Sequence, residues 1–141
     1  MWKKSLLVMA LFVISSVVYA ADSGVKCPVS GKKANPKCTT DYKGGKVCFC
    51  CGNCLKAFKK DTAKHAAKAN LQLVATGQAK QAKCPFSGGK IKDGTEVTVN
   101  GVTVKFCCKR CKGKAEGADD KVATLFNDKA FDKAFKVAKK K

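Results

Sequence analysis

Between Thr95 and Phe106 the chain alternates. Val97, Val99, Val102, Val104 and Phe106 are apolar, while Glu96, Thr98, Thr103 and Lys105 between them are polar. Asn100-Gly101 lies at the centre, and that pair suits the two left-handed residues of a type I′ turn. The pattern predicts a β-hairpin with its five apolar side chains on one face. A less regular copy precedes it, with Thr40, Tyr42, Val47 and Phe49 on the matching face and Lys43-Gly44-Gly45-Lys46 as a turn of open register. After each hairpin the period lengthens. Leu55, Phe58, Thr62 and His65 recur at spacings of three and four in an Ala/Lys-rich stretch, predicting a helix to about Asn70. Leu71 to Ala82 then reads as a packed connector. The helix after the second hairpin is weaker, because Gly113 and Gly117 interrupt it. From Asp119 to Val137, the residues Val122, Leu125, Phe126, Phe131 and Phe135 predict a short helical pair that covers the core.

The first twenty residues follow a different rule. Lys3 and Lys4 precede an apolar stretch from Leu6 to Val18, and Val18-Tyr19-Ala20 puts small residues where a signal peptidase needs them. A cleavable signal peptide cut after Ala20 is expected, which places the protein in the periplasm or outside the cell. The apolar stretch is short for a span of about 20 residues, so no transmembrane segment is expected once it is removed.

Slid along itself, the sequence matches without gaps at an offset of 57 residues, with 11 of 28 aligned pairs identical. Cys27-Pro28-Val29-Ser30-Gly31 falls on Cys84-Pro85-Phe86-Ser87-Gly88. Val47 to Cys54 falls on Val104 to Cys111. The fold class is therefore α+β, with two small β-hairpin plus helix repeats and a C-terminal helical segment. Residues 1–20 form the signal, 21–82 the first repeat with its helix and connector, 83–118 the second repeat, and 119–141 a helical, Lys-rich tail.

The chain has ten cysteines and one histidine in 141 residues. A single imidazole excludes most hydrolase designs, so any chemistry rests on thiols. Export and many cysteines ordinarily mean a disulfide framework. Spacing favours another reading. Each repeat has a Cys, 22 residues, a second Cys, three residues and a third: Cys27, Cys50, Cys54 and Cys84, Cys107, Cys111. Residues four apart share one side of a helix's first turn, and the tight Pro-x-Ser-Gly turn brings the first Cys to the same place. Three sulfurs per repeat can thus converge on one ion. Cys51, Cys108 and Cys48 are auxiliary candidates. Cys51 and Cys108 also read as buried small residues or disulfide partners, and Cys38 with Cys48 as a disulfide that the hairpin register disfavours. His65 reads as a helix-face residue.

The spacing, the Cys-Pro-x-Ser-Gly opening and the Phe-Cys-Cys-x-x-Cys close resemble the TRASH/YHS metal-binding modules, which are similar to treble-clef fingers and zinc ribbons. The resemblance covers Cys27 to His65 and Cys84 to Ala115. It implies a β-hairpin plus helix holding zinc, copper or another soft metal through the three cysteines, one ion per repeat. Ser30 and Ser87 depart from the four-cysteine ribbon, standing where its second opening thiolate would be. Zinc, which prefers four ligands, is assigned first; copper(I) or another soft heavy metal is the alternative, since three thiolates suit it.

No enzymatic activity is expected. A thiol-disulfide oxidoreductase built on Cys51-Gly52-Asn53-Cys54 and Cys108-Lys109-Arg110-Cys111, or a disulfide-rich structural protein, are the other classes the cysteines allow. The extra Cys before each pair argues against the first of these. A formal charge of +19 predicts attraction to anionic cell-envelope polymers or a membrane surface. No aromatic-interleaved basic motif marks a specific nucleic-acid site.

Overall fold

A computed structural model describes residues 25–138. The expected signal peptide and Lys139-Lys140-Lys141 lie outside the described residues. The first repeat contains β1 (Asn35–Tyr42), β2 (Gly45–Phe49), α1 (Gly52–Lys60) and α2 (Thr62–Ala75). A short strand β3 (Ala79–Gln81) leads to the second repeat, β4 (Lys92–Val99), β5 (Val102–Phe106) and α3 (Lys109–Glu116). Then follow α4 (Lys121–Phe126), α5 (Asp128–Ala134) and β6 (Phe135–Val137). The architecture is α+β, as the patterning predicts.

The offset of 57 carries β1 onto β4, β2 onto β5 and the start of α1 onto the start of α3, residue for residue. Both hairpins turn through two left-handed residues. Asn100 and Gly101 have φ of 48° and 81°, and Lys43 and Gly44 have 48° and 84°. The open register of the first hairpin is thereby resolved, with Tyr42 opposite Gly45. Lys43 is an unusual residue for that conformation. Its ammonium reaches Asp128 at 2.9 Å and Asp132 at 2.7 Å on α5, which ties the turn to the C-terminal helices.

A two-stranded hairpin is marginal in water by itself. Here each buries its apolar face: Val47, Phe49, Val104 and Phe106 are fully enclosed, and Val97, Val99 and Val102 are buried. Each such side chain stabilises the fold by roughly 1.5–3 kcal/mol. The rings of Tyr42 and Phe49 lie 5.4 and 5.1 Å from Phe58 of α1, and Phe86 stacks on Phe106 at 5.7 Å. Phe126, Phe131 and Phe135 close the other side of a continuous core.

Three expectations need correction. The helix of the first repeat is two helices, because Asp61 interrupts it and accepts a hydrogen bond from the Lys64 N–H at 3.2 Å as the cap of α2. That second helix continues past Asn70 to Ala75. The connector and the tail are also more ordered than the pattern predicts: β3 pairs antiparallel with β6, with Gln81 opposite Phe135. The tail is therefore helical only to Ala134. No helix among the described residues is long and apolar enough to cross a membrane.

Candidate metal centre

Each site begins at a tight turn. The Cys27 N–H donates to the Lys32 carbonyl at 2.7 Å, and the Gly31 N–H donates back to the Cys27 carbonyl at 2.9 Å. Gly31 has φ +73°, a conformation glycine adopts without a Cβ penalty. In the second copy Cys84, Gly88 and Gly89 repeat these bonds at 2.9 and 2.8 Å, with Gly88 at φ +72°. The turn holds the first thiol inside the protein. Cys27 is 1% exposed and Cys84 0%.

The other two sulfurs come from the junction of hairpin and helix. Cys50 follows β2 and Cys54 lies in the first turn of α1; their sulfurs are 3.5 Å apart. Cys107 and Cys111 stand equivalently at 3.7 Å. Within each repeat all three sulfurs lie within 4.8 Å of one another, so Cys27, Cys50, Cys54 and Cys84, Cys107, Cys111 could each hold a metal ion. Two sulfurs bound to one ion at about 2.3 Å cannot be separated by more than about 4.6 Å. The 3.5 and 3.7 Å pairs meet that limit as they stand.

A serine completes each group. The Ser30 hydroxyl lies 3.1 Å from the Cys50 sulfur and accepts from the Lys32 N–H. Ser87 is placed identically, 3.1 Å from the Cys107 sulfur and accepting from the Gly89 N–H. Each hydroxyl thus bridges the turn backbone and the second sulfur of its trio.

The local electrostatics favour a thiolate at the first cysteine of each site. Burial opposes charge on Cys27, but the N–H and hydroxyl of Ser30, with the Cys50 and Val29 N–H groups, outweigh it and bring the thiol down to about 6. Cys84 is brought to about 7 against the same burial by Ser87, Cys107 and Phe86. The helix cysteine of each trio is shifted the other way. Hydrogen bonding to Cys50 and then burial push Cys54 up to about 12, while burial and then Cys107 do the same to Cys111. Metal uptake would displace the protons on Cys54 and Cys111.

The auxiliary candidates divide. Cys51 and Cys108 are exposed, each with its sulfur 3.7 Å from Cys50 or Cys107, and they stand beside the trios rather than in them. Cys48 and His65 join neither trio. Thr39, not Cys38, is the cross-strand partner of Cys48, and both cysteines are free thiols. Burial raises the Cys48 pKa.

Two residues that sequence reasoning missed hold the sites in register. Gln72 of α2 accepts from the Cys48 N–H at 2.7 Å and donates to the Cys48 carbonyl at 2.8 Å and the Lys26 carbonyl at 3.0 Å. Its amide thus joins the strand before Cys50 to the residue before Cys27. Gln81 does the same in the second repeat, bonding both backbone groups of Lys105 and the Lys83 carbonyl. Lys83 and Lys105 are Lys26 and Cys48 shifted by 57, yet Gln72 and Gln81 are not so related. One comes from a helix and the other from a strand, so the repeat comparison contains no signal for them.

Groups that orient metal ligands typically contribute 10–100-fold to affinity. Gln72→Leu should therefore weaken the first site by about tenfold or more and spare the second, with Gln81→Leu doing the converse. Competition titration against a chromophoric chelator measures this. Equal weakening of both sites by either variant would mean general destabilisation instead.

Neither a model of a known protein family, nor a curated protein, nor a solved structure matches this chain.

Proposed function

We propose that the chain is an exported, non-enzymatic metal-binding protein that holds one ion per repeat through Cys27, Cys50, Cys54 and Cys84, Cys107, Cys111. It would act in metal buffering, trafficking or resistance, or use the ions as a scaffold. One observation carries the reading: the same three-thiol convergence occurs twice, on backbones matched residue for residue at an offset of 57. The TRASH/YHS-like motifs support it. Once bound, an ion would cross-link the knuckle turn, the hairpin end and the helix.

Zinc is our first assignment, with water completing its four ligands. Copper(I) is the second reading, favoured by the Ser30 and Ser87 hydroxyls. They stand where a four-cysteine ribbon has its second opening thiolate, each 3.1 Å from a resident sulfur, which leaves three soft donors. The excess of lysine would keep the protein close to anionic envelope polymers or a membrane surface.

Native mass spectrometry of protein purified without chelator tests the proposal. The expected result is two metal equivalents per chain, with X-ray absorption giving three or four sulfur-rich ligands. A metal-free chain lighter by two hydrogens for each disulfide would overturn it in favour of a cross-linked structural protein. Catalytic reduction of insulin, lost in the Cys54→Ser, Cys111→Ser double variant, would favour the oxidoreductase.

A further inference from the structure

Each trio has a fourth sulfur beside it that differs in one respect. Cys51 and Cys108 are exposed, whereas Cys27, Cys84 and Cys111 are buried and Cys50, Cys54 and Cys107 are half-buried. Both stand at the N-cap of their helix in the same extended conformation, with φ and ψ of −159° and 169° for Cys51 and −160° and 165° for Cys108. Neither side chain caps its helix. The residues that follow diverge between the repeats, Gly52-Asn53 in one and Lys109-Arg110 in the other. The thiol and its 3.7 Å approach to the resident sulfur recur regardless.

Building the fold does not need this thiol. An exposed side chain adds little to the core, and an exposed free cysteine in an oxidising compartment is a liability. Its position suits exchange. An ion held by three sulfurs leaves Cys27 or Cys84 on the protein side, beyond the reach of another molecule, while Cys51 or Cys108 faces solvent one sulfur contact away.

Resting on the metal-binding reading, we propose that Cys51 and Cys108 are exchange ligands through which the cargo ion passes between the resident trio and a thiol-bearing acceptor. The exposed thiol gives its proton to solvent as its sulfur bonds the ion, and one resident sulfur–metal bond then breaks, with that thiolate taking up a proton. The acceptor's two thiols then bond the ion as they give their protons to solvent, and the remaining protein sulfurs leave in turn, each taking up a proton. No electron is transferred, and the charge on the ion is unchanged. The acceptor is a dithiol or a cysteine pair, because one incoming sulfur does not replace three.

Cadmium(II) is the probe, since its bonds to thiolate absorb in the ultraviolet. The full chain is loaded with two cadmium ions, and their release to excess dithiothreitol is followed in the parent protein, in Cys51→Ser, in Cys108→Ser and in the double variant. The expected result is unchanged stoichiometry and equilibrium affinity, with release slowed about tenfold or more from the altered repeat, because the reactive sulfur at the surface is gone. Single variants should slow half of the signal. An unchanged release rate overturns the proposal. So does loss of a bound ion, which would make the thiol a resident ligand. Failure of the parent chain itself to bind two cadmium ions would instead sink the metal-binding reading, and this proposal with it.

Discussion

Replacing Cys27 and Cys84 together with serine should leave the protein without bound metal and convert a chelator-sensitive thermal transition into a chelator-insensitive one at lower temperature. Either replacement alone should remove one equivalent and leave the other repeat loaded. The expectation follows from where these sulfurs sit. Both are enclosed by protein, each is the only ligand its repeat draws from the knuckle, and each is the thiol that the surrounding N–H groups bring down to about 6 or about 7. Without it, Cys50 and Cys54 or Cys107 and Cys111 remain as a two-sulfur pair at the junction of hairpin and helix. Such a pair cannot link the knuckle to the hairpin. Structural zinc contributes about 10–16 kcal/mol of apparent binding free energy in small fingers, which far exceeds the roughly 1–3 kcal/mol expected from leaving a buried hydroxyl unsatisfied. The metal term should therefore dominate the loss. Elemental analysis and thermal unfolding with and without chelator are the measurements. Two equivalents retained in the double variant would refute the ligand assignment.

The parts of this structure legible in the sequence were those governed by short-range pattern. Alternation around Asn100-Gly101 identified the face of β4 and β5, and the 57-residue offset transferred that face to β1 and β2. Local spacing also paired Cys50 with Cys54 and Cys107 with Cys111, but Cys50 and Cys107 precede the N-caps Cys51 and Cys108, so each pair closes across the hairpin-helix junction and not within a helical turn. What escaped depends on side chains meeting across distance. Asp61 lies inside the Ala/Lys-rich stretch whose spacing predicts a single helix, although its carboxylate caps a second one. Strands β3 and β6 are three residues each, too short for alternation to register, and they exist because Ala79–Gln81 and Phe135–Val137 meet edge to edge. Lys43 carries no turn signature, because its left-handed conformation is supported from α5 by Asp128 and Asp132. Glutamines 72 and 81 were invisible for a related reason: an amide that imitates a neighbouring strand can be supplied from any element that reaches the edge.

Gly45→Val should destabilise the fold by about 1–3 kcal/mol through overpacking, even though valine is the residue that the second repeat uses at the same position, Val102. The two hairpins agree in backbone and differ in what lies over them. On the first, α2 crosses close to the start of β2, and a Cβ on Gly45 would stand 2.7 Å from the Leu73 Cδ2 and 3.0 Å from the Gln78 Oε1. Leu73 is fully buried and cannot swing aside. Gln78 is committed as well, since its amide bonds both backbone groups of Lys46. The strain must therefore move α2 or part it from β2. Gln72 rides on that helix and holds Cys48 and Lys26, so the shift should reach the first metal site and weaken it while the second keeps its affinity. The reciprocal Val102→Gly acts differently, removing a buried side chain without crowding anything. Denaturant unfolding reads the stability, and metal titration of the two sites reads the coupling. Unchanged stability in Gly45→Val would show that α2 does not press on the hairpin; lost stability with equal affinities at both sites would break the proposed link from α2 through Gln72 to Cys27 and Cys50.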